Sequence, residues 1–269
     1  MSMITMHVLG AGGAVPTLTH SPAAYWVVVD DDPILMDPGP GALVRLVRSG
    51  AAPRGVDELA DVLLTHLHPD HHGDLVGILF ALHSPVPART DPVRLTGPAG
   101  LVRLLDQLRG IYGRWLEPRK RELQVTEIGP GDVVALPGGG RVEAFAVAHP
   151  QDRLAEQALG YRFCDLDGHV VVFSGDTGPV PALEKAATGA DLLVVECSCP
   201  DHLKTPGHMV PTEVGELCAA ARPRRVALTH QYPDAAALDL APLVNAIWDG
   251  PVDQAVDGSV YRVPEEDGR

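Results

Sequence analysis

Apolar residues fall along this chain in short β-rich runs, and several of the runs stop at a histidine or an aspartate. Tyr25-Trp26-Val27-Val28-Val29 is β-branched and aromatic, and Asp30-Asp31-Asp32-Pro33 closes it. Ile34-Leu35-Met36 follows and ends at Asp37-Pro38-Gly39. Four later runs share one form: residues 61–65 lead into His66, 142–148 into His149, 170–175 into Asp176, and 225–229 into His230. Between them the apolar spacing turns helical. Leu43, Val44, Leu46 and Val47 make one stripe with Gly50 as its stop. Further helices are predicted over 73–82, 99–109, 181–187, 212–221 and 238–248. Turn residues at Gly138-Gly139-Gly140 and Asp165-Leu166-Asp167-Gly168 predict hairpins. With no repeat and no low-complexity linker, the pattern predicts one α/β domain over residues 1–269, its sheets covered by helices. Carboxyl ends of strands in layered α/β sheets converge on one edge, where ligands sit. Asp37, His66, His149, Asp176 and His230 are therefore expected at a common edge.

The densest chemistry is Thr65-His66-Leu67-His68-Pro69-Asp70-His71-His72-Gly73-Asp74. Imidazole suits borderline ions such as zinc, and carboxylate oxygen completes such a shell. His66 and His68, two apart on an extended loop, project the same way and can grip one ion. Asp70 and His71, past Pro69 at the start of the next helix, turn toward a neighbouring position. A second ion needs ligands from elsewhere, and the strand ends offer His149, Asp176 and His230. A lone histidine on a polar loop is ordinarily a solvated side chain. Four ligand-type residues in six positions, with three more at strand ends, are a metal constellation. His72 is expected outside it, and His7, His20, His83, His169 and His202 lack a partner pattern.

Composition narrows the picture. The chain of 269 residues is 45% hydrophobic and 21% charged, which is globular usage. Acidic residues outnumber basic ones 35 to 21, for a net charge of −14. Such a surface repels phosphate backbones, so broad nucleic-acid binding is not expected. A small anionic substrate remains compatible, because a metal ion inverts the field locally. No apolar run approaches the roughly 20 residues needed to span a bilayer, so no membrane role is expected. The opening residues show neither a positive leader nor a long apolar stretch, and the cytoplasm is the expected location. Cys164, Cys197, Cys199 and Cys218 then read as reduced, buried small hydrophobes; Cys197-Ser198-Cys199 lacks the two-residue gap of a thiolate metal site. Gly10-Ala11-Gly12-Gly13 lacks the third glycine of a nucleotide loop, and Pro16 blocks the helix that loop requires. It is expected to line the metal cleft instead.

The ordered motifs carry a family resemblance. Over nearly its whole length the chain resembles the metallo-β-lactamase-fold hydrolases and, within them, the ribonuclease Z-like phosphodiesterases. Residues 9–17 look like that branch's opening strand and loop. Asp37-Pro38-Gly39 matches the first acidic motif, His66-x-His68-x-Asp70-His71 the second and His149 the third. Ser174-Gly175-Asp176-Thr177 matches the fourth, and Thr229-His230 the fifth. The resemblance implies an αββα sandwich of two mixed β-sheets flanked by helices, with two divalent metal ions at one edge. Zinc is the expected occupant, and manganese or iron suits the same ligands. Carried over position by position, His66, His68 and His149 bind one metal, Asp70, His71 and His230 bind the other, and Asp176 bridges both. Asp37 would hold a ligand histidine by hydrogen bond. A hydroxide between the ions would attack phosphorus, carbonyl carbon or sulfur, with Asp70 counted among the catalytic residues.

The resemblance also bears on the substrate. Val195-Glu196-Cys197 and Gly207-His208-Met209-Val210-Pro211-Thr212 look like the branch's pair in which a glutamate supports a histidine. His208 would then serve as proton donor or phosphate binder and Glu196 would orient it, although Val210 stands where that motif usually has threonine, with Thr212 two places on. Bacterial ribonuclease Z carries a long transfer-RNA-binding arm between the third-motif histidine and the fourth-motif aspartate. Here that interval is 27 positions (176 − 149), with Arg153 and Arg162 but no basic excursion. Residues 109–121 are locally basic and read as a solvated face. Transfer-RNA cleavage is thus disfavoured, and a small phosphodiester or cyclic phosphate is expected. Hydrolysis of a lactone, thioester or sulfate ester by the same two-metal site is the alternative, and a non-catalytic metal sensor a third reading. The expected partner is a small anionic ester, and a homodimer is the general prior.

Overall fold

The computed structural model, described over residues 2–150 and 157–265, contains two seven-stranded sheets. Arg153 lies outside the described residues. The first sheet holds β1 (Ile4–Gly10), β2 (Ala24–Val29), β3 (Asp32–Met36), β4 (Asp61–Leu63), β5 (Val93–Pro98) and β6 (Leu123–Ile128) side by side. The second holds β7 (Val133–Ala135), β8 (Arg141–Ala146), β9 (Leu159–Cys164), β10 (Val170–Phe173), β11 (Leu192–Glu196), β12 (Val226–Thr229) and β13 (Val252–Gln254). β14 (Val260–Val263) returns to the first sheet beside β1. Each sheet is antiparallel in one half and parallel in the other. Parallel neighbours need crossovers, and these are largely helical. Over the first sheet lie α1 (Ala42–Ser49), the single turn α2 (Pro69–His72), α3 (Leu75–His83) and α4 (Leu101–Tyr112). The second sheet carries α5 (Pro181–Ala187), α6 (Pro211–Ala221), α7 (Pro233–Ala236) and α8 (Ala241–Asn245).

Strand alternation sets the layers. In β11, Leu192 and Val194 enter the core between the sheets, while Leu193 and Val195 face the helices. In β3, Ile34 and Met36 point between the sheets and Leu35 points outward. A one-residue slip would exchange these faces, so the double burial fixes the register. Helix side chains Leu46, Ile78, Leu79, Leu104 and Leu105 cover one outer face, and Leu183, Val214, Cys218 and Val244 cover the other. The result is the αββα sandwich of two mixed sheets. Among the described residues no helix is long and apolar enough to cross a membrane.

Where the elements differ from expectation, local chemistry explains it. The helix predicted over 73–82 begins as α2 at Pro69 and restarts at Leu75. A side chain on Gly73 would meet the Pro69 carbonyl at 2.7 Å, and Asp74 Oδ2 takes the Leu43 N–H at 2.7 Å. The helix predicted over 238–248 shrinks to α8. Gln254 claims the backbone before it, accepting from Leu240 N–H and donating to Leu238 O. The last residue of α8, Asn245, donates to Trp248 O and Gly250 O as the chain turns. Pro33 lies inside β3 rather than in the turn, which is made at Asp30 with φ 55°. Gly50 ends α1 in the left-handed region, as expected.

Two buried phenols tie the sheets together beneath one edge. Tyr25 on β2 lies 2.7 Å from the Thr229 hydroxyl at the end of β12. Tyr161 on β9 donates to the Leu64 carbonyl just past β4, at 2.6 Å. Each partner residue stands within two positions of a histidine singled out above. Tyr161→Phe removes the donor from a buried carbonyl and is expected to destabilise the protein by about 1–3 kcal/mol. Urea unfolding read by tryptophan fluorescence checks this.

Candidate metal centre

Every strand-end residue named from the sequence arrives at one edge of the sandwich. Asp37 follows β3, His66 follows β4, His149 follows β8, Asp176 follows β10 and His230 follows β12. His68 is the residue before α2, and Asp70 and His71 lie within it. Donor atoms of His66, His68, His149 and Asp176 lie within 4.8 Å of one another, and so do those of Asp70, His71 and His230. Asp176 faces both groups. Its Oδ1 is 3.4 Å from His71 Nε2, and its Oδ2 is 3.3 Å from His230 Nε2, 3.7 Å from His66 Nε2 and 3.9 Å from His149 Nε2. Asp70 Oδ2 lies 3.7 Å from His71 Nε2 and 3.5 Å from His230 Nε2.

These spacings can be tested against a cation. Ligand atoms about 2.0–2.2 Å from a tetrahedral ion stand ~3.3–3.6 Å apart. The two groups fall near that range, and their closest nitrogen pairs are 3.1 Å (His149 Nε2 to His68 Nδ1) and 3.2 Å (His71 Nε2 to His230 Nε2). His66 Nε2 and Asp176 Oδ1 are buried with no hydrogen-bond partner among the described residues. Buried polar atoms are nearly always partnered, and a divalent ion would satisfy both at once. The set of imidazoles and carboxylates suits zinc, manganese or iron.

The opposite edge of each ring is fixed by the protein. Asp37 is fully buried and accepts the Thr65 N–H and the Thr65 hydroxyl, each at 2.7 Å. His71 Nδ1–H donates to Asp37 Oδ2 at 3.0 Å. Since the Thr65 hydroxyl proton goes to Asp37, its oxygen accepts from His66 Nδ1–H at 3.0 Å. His149 Nδ1–H donates to the Gly207 carbonyl at 2.9 Å. All three rings are thereby left with a bare Nε2, the form a ligand needs. Asp37 and His230 adopt left-handed φ values of 46° and 54°. Neither is glycine, and such strain concentrates at functional sites.

Charge is arranged for a cation. Burial holds His66 well below the ordinary histidine range, with His71 adding to the effect, and burial likewise lowers His68 and His149. Burial also acts against His71, but Asp176 and Asp37 on either side outweigh it and raise that ring well above the range. Burial opposes ionisation of Asp70, yet the neighbouring His230 and the charge of His71 bring it down to about 2. Asp176 is driven well below the usual carboxylate value by His230 and His71, again against burial. Metal ions bind ionised carboxylates and neutral imidazoles, so a cation seated between these carboxylates would displace the extra proton that they otherwise hold on His71 Nε2.

His208 and Glu196 reach the same edge, with a His208 donor atom within 4.8 Å of those of Asp176 and His230. The glycine loop lines the cleft as expected: Gln231 N–H donates to Ala11 O at 3.0 Å, and a side chain on Gly13 would sit 2.9 Å from His230 Cε1. Among the described residues, neither His72 nor His7, His20, His83, His169 or His202 joins a donor group. The four cysteines are buried and free. Thr212 is exposed, its N–H bonded to Asp201, and takes no part in the site. The basic stretch 109–121 is not wholly a solvated face: Arg109 pairs with Glu117, and Arg121 is buried against Asp91 and Pro92 carbonyls. Thr65, Ser198 and Tyr232 were not legible from the sequence. Tyr232 is half-buried, its ring 5.9 Å from those of both His208 and His230. Its one sequence signal is its place two residues past the strand-end His230.

Comparison with known proteins gives a consistent result. The profile of the Beta-lactamase superfamily domain matches residues 33–231. An uncharacterized protein of Mycobacterium leprae (strain TN) is 32% identical over 265 residues, which cover 97% of this chain and 89% of that one. Ribonuclease Z of Myxococcus xanthus (strain DK1622) is 28% identical over 322 aligned residues, covering 99% of this chain and all of that one. Among solved structures, the metallo-beta-lactamase fold protein YhfI from Bacillus subtilis superimposes with a TM-score of 0.82 at 22% identity, over 97% of this chain and 99% of that one.

Purified protein is expected to carry close to two divalent transition-metal ions per chain by elemental analysis. His68→Ala is expected to lower the content toward one, and Asp176→Ala, which removes the carboxylate facing both groups, to deplete both. Two ions retained at full occupancy in Asp176→Ala would contradict the grouping.

Proposed function

The chain belongs to the beta-lactamase superfamily, and on that premise we propose that it is a dinuclear metal-dependent hydrolase of small phosphodiesters, cyclic phosphates included. The observation that carries this reading is the His208–Glu196 pair. Glu196 is fully buried at the end of β11. Its Oε1 accepts the Thr177 N–H at 2.6 Å and His208 Nδ1–H at 3.0 Å. Its Oε2 accepts the Ser198 hydroxyl at 2.5 Å and the Met209 N–H at 3.2 Å. Four partners lock the carboxylate, and the carboxylate locks the ring. Burial works against protonation of His208, but the bond to Glu196 and its charge prevail and raise the imidazole above its usual value.

A protonated imidazole beside a di-cation cleft has two uses. It attracts an anionic substrate, and it delivers a proton from Nε2 to a departing alkoxide. A phosphodiester needs both. A thiolate leaves without a proton, and a lactone brings no charge, so a fixed cationic acid suits those substrates less well. Bound divalent ions supply the remaining chemistry, polarising the attacked centre and lowering the pKa of water toward neutrality. In this reading His66, His68 and His149 hold one ion, Asp70, His71 and His230 the other, and Asp176 serves both. Asp37 and Thr65 orient the rings. Asp70, ionised across the neutral range, accepts a hydrogen bond from the attacking water.

Size and charge support a small substrate. The Myxococcus xanthus ribonuclease Z aligns over 322 positions with a chain of 269 residues, so it holds segments with no counterpart here. The Mycobacterium leprae protein aligns over 265. Between His149 and Asp176, residues 159–173 are taken up by the β9–β10 hairpin. A net charge of −14 disfavours a polynucleotide.

On metal-loaded protein, a panel of bis-aryl phosphate, cyclic nucleotides, aryl sulfate, a lactone and a thioester is expected to show the highest kcat/KM on a phosphodiester. A lactone or thioester turned over faster would overturn the reading. His208→Ala is expected to slow alkoxide-leaving substrates by about 10²–10⁴-fold with metal content intact, and activated aryl esters far less. Because the acid must be protonated, its contribution falls as pH rises through the raised His208 pKa. Glu196→Gln removes the charge that raises it, so the alkaline limb of the pH–rate profile is expected to move to lower pH.

A further inference from the structure

Ser198 stands two residues past the end of β11 and is fully buried. Three segments cross at its backbone: its own strand, the loop carrying His208, through Ser198 N–H to Met209 O at 3.2 Å, and the loop carrying His230, through Tyr232 N–H to Ser198 O at 3.1 Å. Its hydroxyl lies 2.5 Å from Glu196 Oε2, 3.0 Å from His230 Nδ1, 3.2 Å from His208 Nδ1 and 2.9 Å from the His230 carbonyl. One oxygen thus touches the glutamate of the acid pair and a histidine of the Asp70–His71–His230 group.

Counting protons settles the directions. A hydroxyl has a single proton to give, and of its two acceptors, Glu196 Oε2 at 2.5 Å and the His230 carbonyl at 2.9 Å, the carboxylate is the closer and the charged one. His208 Nδ1–H is claimed by Glu196 Oε1. The Ser198 oxygen is left to accept, and the donor facing it is His230 Nδ1–H. That assignment leaves His230 Nε2 bare, toward Asp70 Oδ2 at 3.5 Å, Asp176 Oδ2 at 3.3 Å and His71 Nε2 at 3.2 Å. His230 makes these contacts from a left-handed backbone, φ 54°. His66, His71 and His149 each have an Nδ1 partner of their own in Thr65, Asp37 and Gly207. Ser198 completes the set for His230.

We infer that Ser198 is a positioning residue: by accepting from His230 Nδ1–H while donating to Glu196, it fixes the His230 tautomer that can bind a cation and couples the metal group to the His208–Glu196 acid. The inference rests on the proposed metal roles of the Asp70–His71–His230 group. Without the hydroxyl, His230 is buried with an unpartnered Nδ1–H, and moving the proton to Nε2 occupies the lone pair that faces the carboxylates. Glu196 simultaneously loses one of its four donors.

The test compares wild type, Ser198→Ala and Ser198→Thr, titrated with zinc against a chromophoric chelator. Partners of this kind govern metal affinity by about 10–100-fold. Wild type is expected to bind two zinc ions, Ser198→Ala to bind one of them about 10–100-fold more weakly, and Ser198→Thr, which keeps a hydroxyl, to recover most of the loss. A folded Ser198→Ala protein with both affinities unchanged would overturn the inference and leave the two-metal reading intact. Wild type that binds no zinc would instead remove the two-metal reading. Nitrogen-15 histidine spectra of wild type decide the tautomer independently of how the variants fold. A His230 ring protonated at Nδ1 and bare at Nε2 supports the role of Ser198, and the reverse tautomer excludes it.

Discussion

The carboxylate of Asp176 is buried, ionised and short of partners. One of its oxygens has no hydrogen bond among the described residues, and the imidazoles around it favour the charged form. An isolated carboxylate in such a place would be driven to protonate. Here the neighbours come from β-strand ends in both sheets, and each neighbour is itself pinned on its far side by a threonine, an aspartate, a serine or a backbone carbonyl. The arrangement therefore favours a positive charge beside Asp176. Much of the local architecture reads as a means of keeping that preference, from the left-handed Asp37 and His230 to the glycines that let loops approach.

Much of this was visible in the sequence, for a physical reason. A strand buried on both faces is a nearly continuous apolar run, so a histidine or aspartate at its end stands out, and parallel strands all deliver their ends to the same edge. Asp37, His66, Asp176 and His230 could be placed by that argument; His149 follows β8, which is antiparallel to both neighbours and partly exposed, and its run of residues 142–148 was a weaker signal. Strands interrupted by polar residues gave no such signal. β6 alternates between half-buried and exposed positions, so Leu123–Ile128 shows no run, and β5 carries Arg94 and Thr96 among its apolar residues. The helix over 238–248 has helical spacing, yet Gln254 and Asn245 take the backbone groups it would need. Competition of that kind comes from residues that local periodicity does not see.

Ser198, Thr65 and the Gly207 carbonyl were invisible for a related reason. Their contribution is a single hydrogen bond to the rear of a ring, and nothing in their type or spacing distinguishes them from other serines, threonines and glycines. Only the fold makes Ser198 adjacent to His230, 32 positions away. The resemblance to a known family supplied Glu196 and His208, whose pairing spacing alone would not have suggested. The cluster they join draws on His66, His68 and His71 from one half of the chain and His149, Asp176, His208 and His230 from the other, so neither half can build it by itself.

The two phenols beneath the site give that last point a mechanical side. Tyr25 reaches from the first sheet to Thr229 of the second, and Tyr161 reaches from the second to Leu64 of the first, so the seam is stitched one or two residues below His230 and His66. Any cation seated above would be a third stitch along the same seam. Its binding free energy would then appear as resistance of the two halves to parting. Metal supply and tolerance of heat would accordingly rise and fall together, and a cell starved of the ion would hold a protein that comes undone from its working edge downward.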